Sequence, residues 1–250
     1  MVKVSDIYAF IDSFAPYDSQ ADFDNSGYMI GDKNAEVKRI LVSLDLTLEV
    51  LEEAKKKKVD LIVSHHPVIF QPLHSVMSDT VVFETVKSGI SAISAHTNLD
   101  IAENGVNATL IKTLGFDNFR NSESDPFLKI ADIKPLSGDE LIKLVSEKLG
   151  APVQYNSVKK TVKSVGFCSG AGSFCLYSSV KEGADAFITG EAKYNMFSDA
   201  DEMGVLLIAA GHYETENIIV PVLAETLRKE FSEIEIIESE EKNPVNYYHI

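Results

Sequence analysis

Only two of the 250 residues are cysteine, Cys168 and Cys175, and they lie seven positions apart in one strand-to-helix stretch. That number and spacing suit neither a disulfide framework nor a zinc ribbon, so both are read as buried free thiols of a reducing, cytoplasmic compartment. Basic residues are also scarce. The 23 lysines and arginines face 38 aspartates and glutamates, a formal net charge of −15, and a field of that sign repels nucleic acid and anionic lipid. Neither is an expected partner. Long apolar runs are missing: Val205 to Ala210 is far too short to span a bilayer, and Asp6 and Asp12 interrupt Met1 to Phe14 where a signal peptide needs unbroken apolar sequence. No phosphate-cradling glycine-rich loop is visible. The rest is ordinary globular sequence, 45% hydrophobic and 24% charged. A chain of this length buries roughly three quarters of its unfolded surface, enough for one large core or two smaller α/β domains.

From about residue 38, apolar runs of strand length alternate with helix-period segments, the pattern of βαβ units with a largely parallel sheet; the expected fold class is α/β. Ser5 is the expected N-cap of a first helix, which Pro16 stops. A strand over Ile40 to Leu44 leads through Thr47 as N-cap into a helix with Leu48, Leu51 and Ala54 inward and Lys55 to Lys58 as its solvated end. Then come a strand at Asp60 to Val63, a helix at Thr80 to Ser88 closed by Gly89, a strand at Ile90 to Ala95, and a helix at Val106 to Leu114 closed by Gly115. This first unit spans 1–118. The polar stretch 119–126, ending at Pro126, reads as a linker. The second unit, 127–250, carries expected strands at Phe127 to Ile133, Val165 to Cys168, Ala186 to Thr189, Val205 to Ala209 and Ile234 to Ile237. Its expected helices are Glu140 to Leu149, Phe174 to Glu182 and Glu216 to Lys229, and its C-terminal segment is free to pack back on the first unit.

The halves echo each other. Arg39 to Ser43, a helix and Val59 to His65 resemble Ser164 to Cys168, a helix and Ala184 to Gly190, and the next strands, from Gly89 and Gly204, end in His96 and His212. Two similarly wound α/β units follow from this.

Histidines gather at strand ends: His65 and His66 after one, His96 after another, His212 after a third, with His74 in a following loop. In open α/β sheets ligands bind outside the carboxyl ends of strands, so these positions can converge on one crevice. Adjacent strand residues point to opposite faces, and Pro67 supplies the break that lets His65 and His66 splay toward neighbouring ions. Asp100 and Glu216, each four residues past a histidine, add acidic donors for divalent cations. Carboxylates bridging two cations, with imidazoles at terminal positions, make metal-assisted hydrolysis the natural chemistry. Asp45 and Glu191 occupy similar strand ends and are candidates to line the pocket.

With Asp24-Asn25-Ser26-Gly27 ahead of them, the motifs Ser64-His65-His66-Pro67, Ala95-His96-Thr97-Asn98-Leu99-Asp100 and Gly211-His212-Tyr213-Glu214-Thr215-Glu216 resemble the NGG-interacting-factor-three-like family. Its members carry the name GTP cyclohydrolase 1 type 2 homologue. The resemblance covers nearly the whole chain. It implies two interlinked α/β units with the site at strand carboxyl ends between them, and a toroidal homohexamer whose sites face an internal cavity. It also implies a dinuclear centre of two divalent ions (Zn, Mn, Fe, Co or Ni) on His65, His66, Asp100, His212 and Glu216. His96 matches the motif without being among those ligands and is a candidate proton carrier or a residue that holds a ligand in place. His74 and His249 read as surface or interface residues. The expected function is metal-dependent hydrolysis of a small nucleotide or phosphorylated substrate; the alternative is a non-catalytic metal-binding scaffold or metal-delivery protein. Phosphoesterases with an Asp-His-His motif fit less well, because Ser64 precedes this pair.

Overall fold

The computed structural model describes residues 1–157 and 160–248. The fold is mixed α/β and divides into two compact units, Met1–Ala102 with Ile219–Ile250, and Glu103–Ile218.

In the first unit β1 (Gly27–Ile30), β2 (Arg39–Ser43), β3 (Leu61–Ser64), β4 (Ser91–Ser94) and β11 (Glu235–Glu238) form one sheet in the order β1-β4-β3-β2-β11. Only the edge strand β1 is antiparallel. All of β3 and β4 is buried, as parallel strands covered on both faces must be. The helices are α1 (Val4–Phe14), α2 (Leu48–Lys57), α3 (Val81–Ser88), α4 (Thr97–Ile101) and α10 (Ile219–Glu230). Thr47 caps α2 by accepting the Val50 N–H at 3.2 Å, and Gly89 closes α3 in the left-handed conformation at φ 76°. Two local expectations fail. The N-cap of α1 is Lys3 rather than Ser5, because Asp6 in the first turn accepts the Lys3 N–H at 2.9 Å. The inward face of α2 is Val50, Leu51 and Ala54, while Leu48 is exposed; Val50, Leu51 and Ala54 pack with Leu41, Ile62 and Ala92. Residues 219–250 complete this unit, β11 pairing in register with β2 (Ile236 opposite Ile40).

The second unit's sheet runs β5-β6-β8-β9-β10-β7, from β5 (Phe119–Asn121), β6 (Lys129–Ser137), β7 (Gln154–Tyr155), β8 (Thr161–Cys168), β9 (Ala186–Thr189) and β10 (Leu206–Ala209). The triad β8-β9-β10 is parallel, but β5, β6 and β7 are antiparallel, so this sheet is mixed rather than largely parallel. Helices α5 (Val106–Thr113), α6 (Gly138–Leu149), α7 (Leu176–Lys181), α8 (Tyr194–Met203) and α9 (His212–Glu216) accompany it. Successive strand residues enter opposite cores: Ala186 and Ile188 pack with Leu141 and Val145, and Phe187 with Cys175 and Leu176. Cys168 and Cys175 are free and buried. The stretch expected as a linker is built into the sheet edge. Phe119–Asn121 pairs with β6, and Glu182 accepts hydrogen bonds from Arg120 and Ser124; the compact units instead divide after Ala102 and after Ile218.

The internal echo extends to individual hydrogen bonds. Asp60, before β3, accepts the N–H groups of Lys38 and Arg39 at 2.8 and 2.9 Å. Asp185, before β9, accepts those of Lys163 and Ser164 at 2.9 and 3.3 Å. The ladders then continue past the strands, Ala95 N–H to the Ser64 carbonyl in one unit and Ala210 N–H to the Thr189 carbonyl in the other. Among the described residues no helix is long and apolar enough to cross a membrane.

Candidate metal centre

In the first unit the β3 ladder carries on into the histidine pair: His65 N–H donates to the Ser43 carbonyl at 3.1 Å and His66 N–H to the Leu44 carbonyl at 2.9 Å. The two rings are 5.0 Å apart, and the His96 ring lies 5.2 and 5.5 Å from them. A ring nitrogen of each comes within 4.8 Å of those of the other two. Every one of the three has its Nδ1 on an oxygen: His65 on the Ala95 carbonyl at 2.8 Å, His66 on Asp45 at 2.9 Å and His96 on Asp24 at 2.7 Å. An oxygen of this kind only accepts, so Nδ1 carries the proton and the neutral ring keeps its lone pair on Nε2. That is how ligating histidines are held in metalloproteins.

Asp100 reaches this group from α4, whose first turn forms when its N–H donates to the His96 carbonyl at 3.0 Å. Its Oδ1 lies 3.4 Å from His65 Nε2, with both side chains largely buried. Two lone pairs facing each other at that distance repel, and a divalent cation between them turns the contact attractive. The residues therefore fit a metal.

The acids behind the rings are themselves held. Burial raises the Asp24 carboxyl, but hydrogen bonds from His96, Thr97 and the Asn25 N–H outweigh it and keep the group well below the usual carboxylate range. Glu241 accepts the N–H groups of Leu44 and Asp45, fixing the turn that carries Asp45, while burial pushes its own carboxyl up.

In the second unit α9 starts at His212, after Gly211 at φ 93°. Glu216 follows one turn later, so both side chains share a face. His212 Nε2 and Glu216 Oε2 are 2.9 Å apart, with Glu216 nearly fully buried, and Glu191 lies 3.5 Å from His212 Nδ1. The turn after β8 cradles this pair. Gly170 sits at φ 55°, where a Cβ would collide with the Glu216 carboxylate and approach His212 Nε2 to 3.2 Å. Thr215 Oγ1 accepts the Gly170 N–H at 3.1 Å, and the Gly170 carbonyl accepts the Glu191 N–H at 2.8 Å.

The first unit thus groups His65, His66, His96 and Asp100, and the second groups His212 and Glu216. Asp45 and Glu191 each approach an imidazole. His74 is exposed, and His249 lies outside the described residues. Sequence reading missed three supports: Asp24 as the partner of His96, Glu241 and Gly170. Asp24 lies inside a noticed motif, but 72 positions separate it from His96, and no periodicity spans such a gap.

The donor set is imidazole and carboxylate, suited to borderline divalent ions. Comparison with known proteins agrees with the motifs. The chain is 32% identical over 98% of its length to the GTP cyclohydrolase 1 type 2 homolog of Clostridium perfringens, all of which is covered. The crystal structure of Staphylococcus aureus protein SA1388 superposes with a TM-score of 0.90 at 25% identity, over 99% of each chain. A Bacillus cereus protein related to NIF3 superposes at 0.92 over 99% of each chain; at 18% identity that likeness concerns the fold. The model of Duf34/NIF3 (NGG1p interacting factor 3) matches residues 2–244, and the chain belongs to that family.

Proposed function

We propose that the protein is a dinuclear metal-dependent hydrolase of a small nucleotide or phosphorylated substrate, with His65, His66 and Asp100 of the first unit and His212 and Glu216 of the second holding two divalent ions. The observation that carries this reading is the set of three clustered imidazoles, each fixed through Nδ1 by an oxygen. Ions bound there would act as Lewis acids on a phosphoryl or carbonyl oxygen and lower the pKa of water toward ~7.

The chain's own residues supply the remaining functions. Asp45 and the Ala95 carbonyl hold His66 and His65 in the Nδ1–H tautomer and so present Nε2. Glu216, buried in the Gly170 cradle, contributes charge that offsets repulsion between neighbouring cations. His96 donates a hydrogen bond from Nδ1–H to the Asp24 carboxylate and keeps Nε2 to accept a proton, as a base oriented by a carboxylate does. The family's members named as GTP cyclohydrolase 1 type 2 homologs support a nucleotide as the substrate class, and assembly as a homohexamer in the cytoplasm belongs to the same proposal.

The test is turnover. Purified, metal-loaded protein is assayed against GTP and activated phosphoesters beside Asp100→Asn and His96→Gln. Metal-dependent product lost in both variants, with both ions retained in His96→Gln, is the expected result. Wild-type and Asp100→Asn rates that agree across the panel would replace the hydrolase with a metal-binding scaffold.

A further inference from the structure

Two large aromatic side chains stand in solvent beside the histidine group of the first unit. Phe23 is 63% exposed, and Phe70, in the loop between β3 and α3, is 41% exposed. An exposed phenyl ring forgoes the burial that normally favours it, and an exposed apolar cluster rimmed by polar groups marks a ligand or partner surface. The two rings meet with 6.4 Å between centres and 60° between planes. Phe70 also meets the His96 ring at 6.0 Å and 79°. His96 in turn lies 5.2 and 5.5 Å from His65 and His66, so the aromatic pair is one ring removed from the metal donors.

Hydrogen bonds hold this corner in place. Asn25, just before β1, donates from Nδ2 to the Ile69 carbonyl at 2.5 Å, which ties the Phe23 segment to the Phe70 loop. Its neighbour Asp24 accepts from His96 Nδ1 at 2.7 Å. Two adjacent residues therefore fix Phe23, Phe70 and His96 relative to one another. With Nδ2 on a carbonyl, the amide oxygen of exposed Asn25 points the other way, where it can accept an N–H. A net charge of −15 disfavours anionic molecules. Beyond the ions, affinity for them must come from uncharged contacts, and two exposed rings and an amide supply these.

Building on the metal-dependent reading of this site, we infer that Phe23 and Phe70 form the wall on which a planar heteroaromatic ring of the substrate stacks, with the Asn25 amide oxygen accepting one of its N–H groups and His96 facing the reacting end. The substrate class narrows accordingly to a nucleotide rather than a phosphorylated sugar, because a sugar phosphate has no π-face to lay on the rings. Leu73, Val76 and Met77 of the same loop are exposed as well, which makes a second copy of the chain the competing occupant.

The chain has no tryptophan, so Phe70→Trp installs a single fluorophore whose emission a stacked purine quenches. The metal-loaded variant is titrated with GMP and, separately, with ribose 5-phosphate, which carries the same phosphate without a base. Saturable quenching by GMP alone is expected. In calorimetry, wild type should bind GMP at least tenfold more tightly than ribose 5-phosphate. Phe23→Ala and Phe70→Ala, both at exposed positions, should erase that preference with both ions retained. These readouts measure binding, so they separate the two readings. A GMP preference without turnover supports the stacking wall and removes the hydrolase, whereas equal binding of the two phosphates leaves the metal site and removes the wall. The inference is overturned if GMP and ribose 5-phosphate bind alike, if neither binds, or if the alanine variants keep the preference. It is equally overturned if those variants change the particle mass in light scattering at unaltered GMP affinity, which would assign the rings to a contact between copies.

Discussion

Gly170→Ala separates two effects of one methyl group. The residue sits at φ 55°, and holding an L-residue in the left-handed region costs about 1–2 kcal/mol. For a chain of this length each kcal/mol corresponds to about 2–4 °C in Tm, so a drop of about 2–8 °C is expected from backbone strain. The second effect is local: the new Cβ meets the Glu216 carboxylate, which must move away from His212. If Glu216 holds metal, disturbing its support should weaken affinity about 10–100-fold. Gly150→Ala is the control, because Gly150 has φ 67° and nothing within 4 Å of a built Cβ. It should lose similar stability and no affinity. The assay is competitive titration with a chromophoric chelator beside thermal melts of both variants. Equal metal affinity in wild type, Gly170→Ala and Gly150→Ala would refute the role of the cradle.

Other outcomes follow from the same structure. Phe187→Ala, fully buried between β9 and the helices, should destabilise the protein by about 3–5 kcal/mol in denaturant unfolding. Glu182 is held at about 2 because the hydroxyls of Ser122 and Ser124, with Arg120, outweigh its burial. Its lowered pKa adds stability above the ordinary carboxylate value, and that contribution is lost as pH falls toward about 2. Glu182→Gln should therefore cost about 1–3 kcal/mol at pH 7, a deficit that shrinks when melts are repeated below pH 4.5. Asp24→Asn should leave the metal content unchanged and reduce turnover, read as kcat at saturating metal. Light scattering should report about six chains per particle at micromolar concentration; a stable monomer would remove the ring.

The parallel strands, the Thr47 cap and the strand-end histidines were legible because each is a local signal: an apolar run, a hydroxyl before a helix, a polar residue where an apolar run stops. Elements with weak local signals were not. β1 is a four-residue edge strand with only Gly27 buried, so it shows no apolar alternation. Glu216 to Lys229 reads as one helix, yet the chain forms α9 and α10 separately, and Pro221, in the first turn of α10, is the signal that this reading passed over. Phe174 to Glu182 begins as a 3₁₀ turn, Gly172–Cys175, before α7, and at its start Gly172 lies too close to the Cys168 side chain to carry a Cβ. Within the site, the donors were visible in the motifs, while their supports lay in tertiary contacts: Asp24 with His96, Glu241 with the β2 end, Gly170 with Glu216. These contacts join distant positions, and only the folded chain brings them together.

Metal stoichiometry tests the central claim most directly. Elemental analysis of protein purified without chelator and saturated with a divalent ion should give two ions per chain in wild type. Asp100→Asn in the first unit and Glu216→Gln in the second should each lower that number while the protein remains folded. One ion or none per chain in saturated wild type, or two ions retained in both variants, would contradict the dinuclear centre.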